Sequence, residues 1–165
     1  MLNGTKVELR KVTPADAPTL YKWGQDEIYH QLAGFEKFKN LAQAQRAAKV
    51  YAERPWSYAI VLKETNEMIG LAELYDQTID IAAGIMRAKS LGFLIDKNYW
   101  RKGYGFEAMK LLVNYAFQQL NQDVLWAEII GSNLASEKLL EKLGFKQMYA
   151  LGEMEKRRKF FVLKK

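Results

Sequence analysis

The chain has 165 residues, 49% of them hydrophobic and 27% charged, with a formal net charge of +6 from 25 basic and 19 acidic side chains. This is the composition of one globular domain over residues 1–165, large enough for a core and without the bias of disorder. The lack of Cys and the single His30 exclude disulfides, thiolate zinc sites, cysteine nucleophiles and histidine metal clusters, so chemistry must use carboxylates, hydroxyls, lysines or backbone groups. No apolar run approaches a membrane span, and Met1–Lys6 shows no charged start followed by an apolar block. We therefore expect a cytoplasmic protein with no membrane partner. The positive charge admits phosphate cofactors, nucleic acid and acidic protein surfaces alike.

Lys6 to Val12 alternates, with Val7, Leu9 and Lys11 on one face and Glu8, Arg10 and Val12 on the other, and reads as a strand. Thr13-Pro14 supplies an N-cap and a proline at the first helical position, starting a helix through Leu20, Tyr21 and Trp23. Asn40 caps a second helix, Leu41 to Arg54, which Pro55 ends. Trp56–Leu62 and Met68–Tyr75 form an antiparallel hairpin around Lys63–Glu67. Asp76 to Lys89 is left open between strand and irregular loop, its apolar residues being Ile79, Ile81, Ile85 and Met86. Ser90–Ile95 is a strand, and Phe106–Leu120 is a helix with Met109, Leu112, Val113, Ala116, Phe117 and Leu120 on one stripe. Val124–Ile130 is β-branched enough for a central strand. Asn133 caps a helix through Leu143 that Gly144 terminates, and Phe145–Leu151 and Lys159–Leu163 are the last strands. The expected class is α/β (α+β): a mixed, mostly antiparallel sheet of about six to seven strands flanked by about four helices. The strand–helix–strand run from 90 to 130 implies one parallel pair.

Between that parallel pair lies Asp96-Lys97-Asn98-Tyr99-Trp100-Arg101-Lys102-Gly103-Tyr104-Gly105-Phe106-Glu107-Ala108. Two glycines one residue apart let the backbone bend so that successive N–H groups share one concavity, at the positive end of the following helix. Such a nest binds phosphate. Gly103-x-Gly105-x-x-Ala108 matches a loose dinucleotide fingerprint, but Asp96 to Lys102 separates the strand from Gly103, and Asp123 precedes the next strand instead of ending it. No Gly-Lys-Ser/Thr follows at P-loop spacing either.

Trp100-Arg101-Lys102-Gly103-Tyr104-Gly105 resembles the acetyl-CoA motif Q/R-x-x-G-x-G/A of the GNAT N-acetyltransferase superfamily, and Asn133 to Phe145 resembles its second signature. The Trp56–Tyr75 hairpin and Thr13-Pro14-Ala15-Asp16 extend the likeness over nearly the whole chain, toward ribosomal-protein alanine or serine N-terminal acetyltransferases. The resemblance implies that the parallel pair splays around acetyl-CoA. The pyrophosphate would sit on the amides of Arg101, Lys102, Gly103, Tyr104, Gly105 and Phe106, and the pantetheine arm would add like a strand against Phe93, Leu94 and Ile95. Trp100 stands where relatives carry Gln or Arg.

Acetyl transfer to an amine requires a neutral amine, an N–H for the developing oxyanion and a proton for the departing thiolate. The resemblance implies a backbone amide near Leu94 to Ile95 for the oxyanion. Many relatives have a tyrosine where this chain has Leu140, so Ser136 is the candidate donor, or else a helix-start hydrogen-bonding residue. Asn133 is a pantetheine ligand, a pure N-cap, or both. Ser90 replaces the usual strand acid, which leaves Glu73 as candidate base, acting through water; its other reading is a solvent-facing strand carboxylate paired with a lysine. Glu128 is the second choice. His30 is a base or, at a helix end, a capping or surface residue. Trp23, Tyr29, Trp56, Tyr58 and Tyr75 wall the acceptor site or fill the core. Asp26, Glu27, Glu36, Glu73, Asp76 and Asp80 would hold a cationic acceptor if they converged. Glu155–Lys159 reads as an exposed hairpin turn.

The expected function is acetyl transfer to a primary amine, a protein N-terminus in preference to a small molecule such as a polyamine or aminoglycoside, by a monomer or homodimer. A non-catalytic CoA-binding sensor or scaffold is the alternative. Nucleic-acid binding ranks last because the basic residues are scattered.

Overall fold

Backbone pairing gathers eight strands into one sheet in the computed structural model, which describes residues 1–77, 82, 84, 87–153 and 157–165. The strands are β1 Leu2–Asn3, β2 Val7–Lys11, β3 Ser57–Leu62, β4 Glu67–Asp76, β5 Ala88–Ile95, β6 Val124–Ile130, β7 Lys146–Leu151 and β8 Arg158–Lys164. They lie in the order β1-β2-β3-β4-β5-β6-β8-β7, and β5–β6 is parallel where the other neighbours are antiparallel. The helices are α1 Ala17–Gly24, α2 Glu27–Ala33, α3 Leu41–Glu53, α4 Tyr104–Gln118 and α5 Leu134–Lys142. None of the described helices is long and apolar enough to cross a membrane.

The sheet and helix counts exceed the sequence expectation by one each. The added strand β1 spans two residues, too few for any periodicity to show. The added helix α2 is seven residues between an Asp26 side chain that accepts from Ile28 N–H at 3.2 Å and Gly34 at φ +63°. A helix this short carries less than two turns of apolar pattern, so its caps were its only signal. Pro14–Asp16 forms a separate 3₁₀ turn ahead of α1, closed by Thr13 N–H donating to Asp16 Oδ2 at 2.8 Å. Helix α4 starts two residues earlier than expected, at Tyr104, and ends before Leu120. The open stretch 76–89 supplies the ends of β4 and β5; Ile79, Ile81, Ile85 and Met86 lie outside the described residues.

Helices α4 and α5 cover one sheet face, where Met109, Leu112 and Leu140 are fully buried against Leu9, Ile60 and Leu125. Helices α1–α3 cover the other, over Ala59, Val61, Leu71 and Leu94. At the end of β5, buried Asp96 accepts from Trp23 Nε1 at 2.9 Å, Lys22 Nζ at 3.0 Å and Asn98 N–H at 3.0 Å, fastening α1 to the strand end and starting the turn that follows. Burial pushes this carboxyl's pKa up, but the hydrogen bonds from Trp23, Asn98 and Lys22 outweigh it and hold it below the usual range. A depressed folded pKa stabilises above the unfolded carboxylate range, and the gain is lost as pH falls through the folded value. Asp96→Asn should therefore cost about 2 kcal/mol at pH 7 in urea unfolding, since it removes charged acceptors from a buried indole N–H. The gap to the native protein should narrow below about pH 4, where the unfolded carboxylate protonates; a gap of equal size at pH 3 would contradict the assigned role of the charge.

Candidate functional site

Strand β5 keeps its register with β4 from Lys89 to Ile95, yet its parallel pairing with β6 runs only from Ala88↔Val124 to Leu91↔Ala127. Strand β6 meanwhile stays on β8 as far as Ile130. Strands held by different neighbours must part, and a cavity of about 1050 Å³ occupies the fork. Antiparallel pairing alternates, so each β5 residue turns both its backbone groups either to β4 or away. Asp96 N–H donates to Ile69 O at 2.8 Å, which sets Leu94 and Gly92 toward β4 and leaves Phe93 and Ile95 facing the gap. Of the pair proposed for the oxyanion, only the Ile95 amide is therefore turned to the cavity.

The turn leading into α4 forms the cavity's floor. Arg101 at φ +61° and Gly103 at φ +84° are both left-handed, which curls the chain so that amides converge. A Cβ on Gly103 would meet nothing within 4 Å, so glycine is favoured there by its backbone angle alone, with open space before it. Gly105 answers a different need: its Cβ would come within 3.2 Å of Leu139 Cδ1 and 3.3 Å of Ile95 Cγ1, where α4 passes between β5 and α5. The first bond within α4 runs from Glu107 N–H to Gly103 O at 3.1 Å, so the N–H groups of Tyr104, Gly105 and Phe106 have no helical acceptor and lie at the positive end of the helix. Trp100 Nε1 donates to Ile95 O at 2.7 Å, tying the turn back to the strand it leaves.

Phe93, Leu94, Ile95, Arg101, Gly103, Tyr104, Gly105, Phe106, Asn133 and Ser136 all line the cavity, as the sequence reading grouped them. Lys102 does not: its ammonium lies 5.3 Å from the Tyr99 ring centroid. Asn133 Oδ1 accepts from Ser136 N–H at 3.2 Å, and its Nδ2 reaches Leu32 O at 3.5 Å, so this side chain is an N-cap that also bridges α5 to α2. Ser136 gives that cap its backbone N–H, and the residue lines the cavity.

Glu73 is absent from the cavity lining and is not solvent-facing or paired with a lysine. It is buried, with Oε1 accepting from Arg54 Nη1 at 3.1 Å and from Ser57 Oγ, and Oε2 from the Tyr75 hydroxyl. Arg54 comes from the end of α3 and Ser57 from β3, neither of which sequence spacing relates to Glu73. Glu128 does line the cavity, beside Arg158 Nε at 3.1 Å. His30 is exposed at the last turn of α2, its Nδ1 3.1 Å from Phe35 O. Of the aromatic residues, Tyr29 and Tyr75 reach the cavity, whereas Trp23 and Tyr58 are core and Trp56 packs under the Lys89 ammonium. Tyr29 accepts from Lys97 N–H at 2.8 Å, and its burial pushes the phenol up to about 12.

Among the described residues, none of the acidic candidates for holding a cationic acceptor lines the cavity. Asp26 pairs with Lys97, Glu27 with Lys37 and Asp76 with Lys89, Glu36 is exposed, and Asp80 lies outside the described residues. Of Glu155–Lys159, the first two positions also lie outside them; Arg158 and Lys159 belong to β8, where Lys159 Nζ pairs with Glu137 at 2.6 Å. Lys138 and Lys142 add positive charge to the cavity wall, and sequence reading passed over them although their spacing of four sets both on one face of α5.

Residues 6–146 match the family model described as an acetyltransferase (GNAT) domain. An uncharacterized N-acetyltransferase, p20 of Bacillus licheniformis, is 29% identical over 156 residues, covering 92% of this chain and 85% of its own. The spermidine N-acetyltransferase of Vibrio cholerae, solved with CoA and spermine, shares the fold at a TM-score of 0.78 and 16% identity over 98% of this chain and 96% of that one. The ribosomal L7/L12 α-N-protein acetyltransferase RimL, solved with CoA, does so at 0.76 and 14% identity over 98% and 95%.

The packing of Gly105 between Ile95 and Leu139 yields a stability prediction. Gly105→Val should lower stability by about 2 kcal/mol through overpacking, measured by urea unfolding, whereas Gly103→Ala should act only through its positive φ, at about 1 kcal/mol.

Proposed function

Because the chain belongs to the GNAT acetyltransferase family and is an N-acetyltransferase that uses acetyl-CoA, we propose that its acceptor is a protein N-terminal α-amine. The observation behind this choice is the cavity's charge. Among the described residues its single acidic lining side chain is Glu128, already beside Arg158, while Arg101, Lys138 and Lys142 are basic. A polyamine carries further positive charges beyond the reacting amine and needs several carboxylates to hold them; an extended peptide start needs one amine site and backbone partners.

The residues present fit acetyl-CoA. The unpaired N–H groups of Tyr104, Gly105 and Phe106, the concavity at Arg101 and Gly103, and the lysines of α5 suit a pyrophosphate, and the gap-facing backbone of Phe93 and Ile95 suits an amide-bearing arm. When bound, acetyl-CoA supplies an activated thioester: the amine lone pair forms the C–N bond, the C–S pair departs with sulfur, nitrogen loses one proton and sulfur gains one. Ser136 gives its hydroxyl proton to the sulfur and recovers one from water. Glu73, which lies outside the cavity lining, is the carboxylate that receives the proton leaving nitrogen by relay and not by direct contact. The Ile95 amide faces the gap and meets the negative charge developing on the carbonyl oxygen.

Acetyl-CoA binding measured by calorimetry, followed by free-thiol release on adding peptides with Ala, Ser or Met N-termini, polyamines or aminoglycosides, tests the proposal. Release should be confined to peptides; release with spermidine alone would overturn the acceptor class, and binding without release from any amine would favour a CoA-binding sensor. Gly103→Val should abolish acetyl-CoA binding, because a branched side chain projects into the open concavity at φ +84°. Ser136→Ala should reduce kcat about 10²-fold with the acetyl-CoA Kd nearly unchanged.

A further inference from the structure

Glu73 is sealed from the cavity by its own partners. Arg54 and Ser57 occupy Oε1, and the Tyr75 hydroxyl occupies Oε2. Tyr75 does reach the cavity. Its ring lies over Gly92, where a Cβ would stand 3.2 Å from Tyr75 Cε2, and Gly92 is the first β5 residue beyond the parallel pairing with β6. The phenol is thus placed at the vertex of the fork, and glycine at 92 is what admits it. A phenol has one hydrogen and two acceptor positions. With its hydrogen turned to Glu73, Tyr75 keeps an acceptor position for a donor in the cavity.

We propose that Tyr75 is the catalytic residue that receives the acceptor amine, and that Glu73 and Arg54 are positioning residues acting through it. This rests on the N-acetyltransferase reading. The amine N–H donates to Tyr75 Oη. Arg54 and Ser57 hold Glu73 through Oε1, which leaves Oε2 to orient the phenol and strengthen its oxygen as an acceptor. As nitrogen attacks and gains positive charge, its proton passes to Tyr75 Oη while Tyr75's own proton passes to Glu73 Oε2. One proton leaves nitrogen, one arrives on the carboxylate, and the phenol ends unchanged; Glu73 then releases the proton to solvent. Burial and the neighbouring carboxylate hold the Tyr75 pKa above its ordinary value, so the phenol stays protonated and the hydrogen bond to Glu73 persists at neutral pH.

The test is steady-state thiol release with the best acceptor found, giving kcat and the amine KM, together with the calorimetric Kd for acetyl-CoA, for the native protein, Tyr75→Phe, Glu73→Gln and the double variant. Tyr75→Phe removes only a hydroxyl from a half-exposed ring and keeps the packing on Gly92. It should lower kcat/KM for the amine about 10- to 100-fold, with kcat falling and the acetyl-CoA Kd changing less than about twofold. Glu73→Gln should fall similarly, and the double variant should lose little more than Tyr75→Phe alone, because the proposal has Glu73 act through Tyr75. Native kcat/KM in Tyr75→Phe, or losses that multiply in the double variant, would overturn the proposal while leaving the transferase intact. Failure of the native protein to release thiol with any amine would overturn both. Tyr75→Phe decides the question alone should Glu73→Gln not fold.

Discussion

A strand cannot keep hydrogen bonds with two neighbours that lead it in different directions. Here β5 follows β4 and β6 follows β8, and their common edge ends at Leu91 and Ala127. Backbone groups left inside a sheet need a partner, so the opening is held apart and its edges point into it. The cavity, the free amides of Phe93 and Ile95 and the placing of Tyr75 over Gly92 all follow from that divergence.

The fork is held open from several sides. Asp96 ties the end of β5 to Trp23 and Lys22 of α1, and the Trp100 indole clamps the following turn onto Ile95. Asn133 bridges the start of α5 to the last turn of α2. Helix α5 then closes on itself: Gly144 N–H donates to Glu141 O at 2.9 Å and Phe145 N–H to Leu140 O at 3.0 Å, a cap that needs the left-handed Gly144. Trp100, at the first position of the motif, therefore supplies an internal brace.

The cavity wall is mostly basic: Arg101, Lys138, Lys142 and Arg158 line it along with the α4 N-terminus, and its one described carboxylate, Glu128, lies beside Arg158. The α4 N-terminus and these side chains together suit a polyanion. A second carboxylate, Glu73, stands outside the lining behind the Tyr75 phenol. A buried carboxylate that holds an arginine, a serine and a tyrosine and is absent from the cavity lining reaches the site through its neighbour and not by its own position.

The sequence by itself determined much of this protein. Apolar, β-branched composition located Val124–Ile130 to the residue, Asn40 and Asn133 cap their helices as read, and the glycine pair marked the left-handed turn into α4. These signals are local, carried by residues within a turn or two of one another. What reading along the chain did not supply lies across strands or between helices. That Gly105 answers to Leu139 and Gly103 to its φ angle could not be told from two identical letters. For Glu73 the sequence left two readings, a base acting through water or a solvent-facing carboxylate paired with a lysine, and neither named its partners Arg54 and Ser57, which arrive through the α3–β3 junction. The fork was implied by the family resemblance, but its cause belongs to tertiary structure, since it arises from a competition among four strands for neighbours that no periodicity or spacing along the chain records.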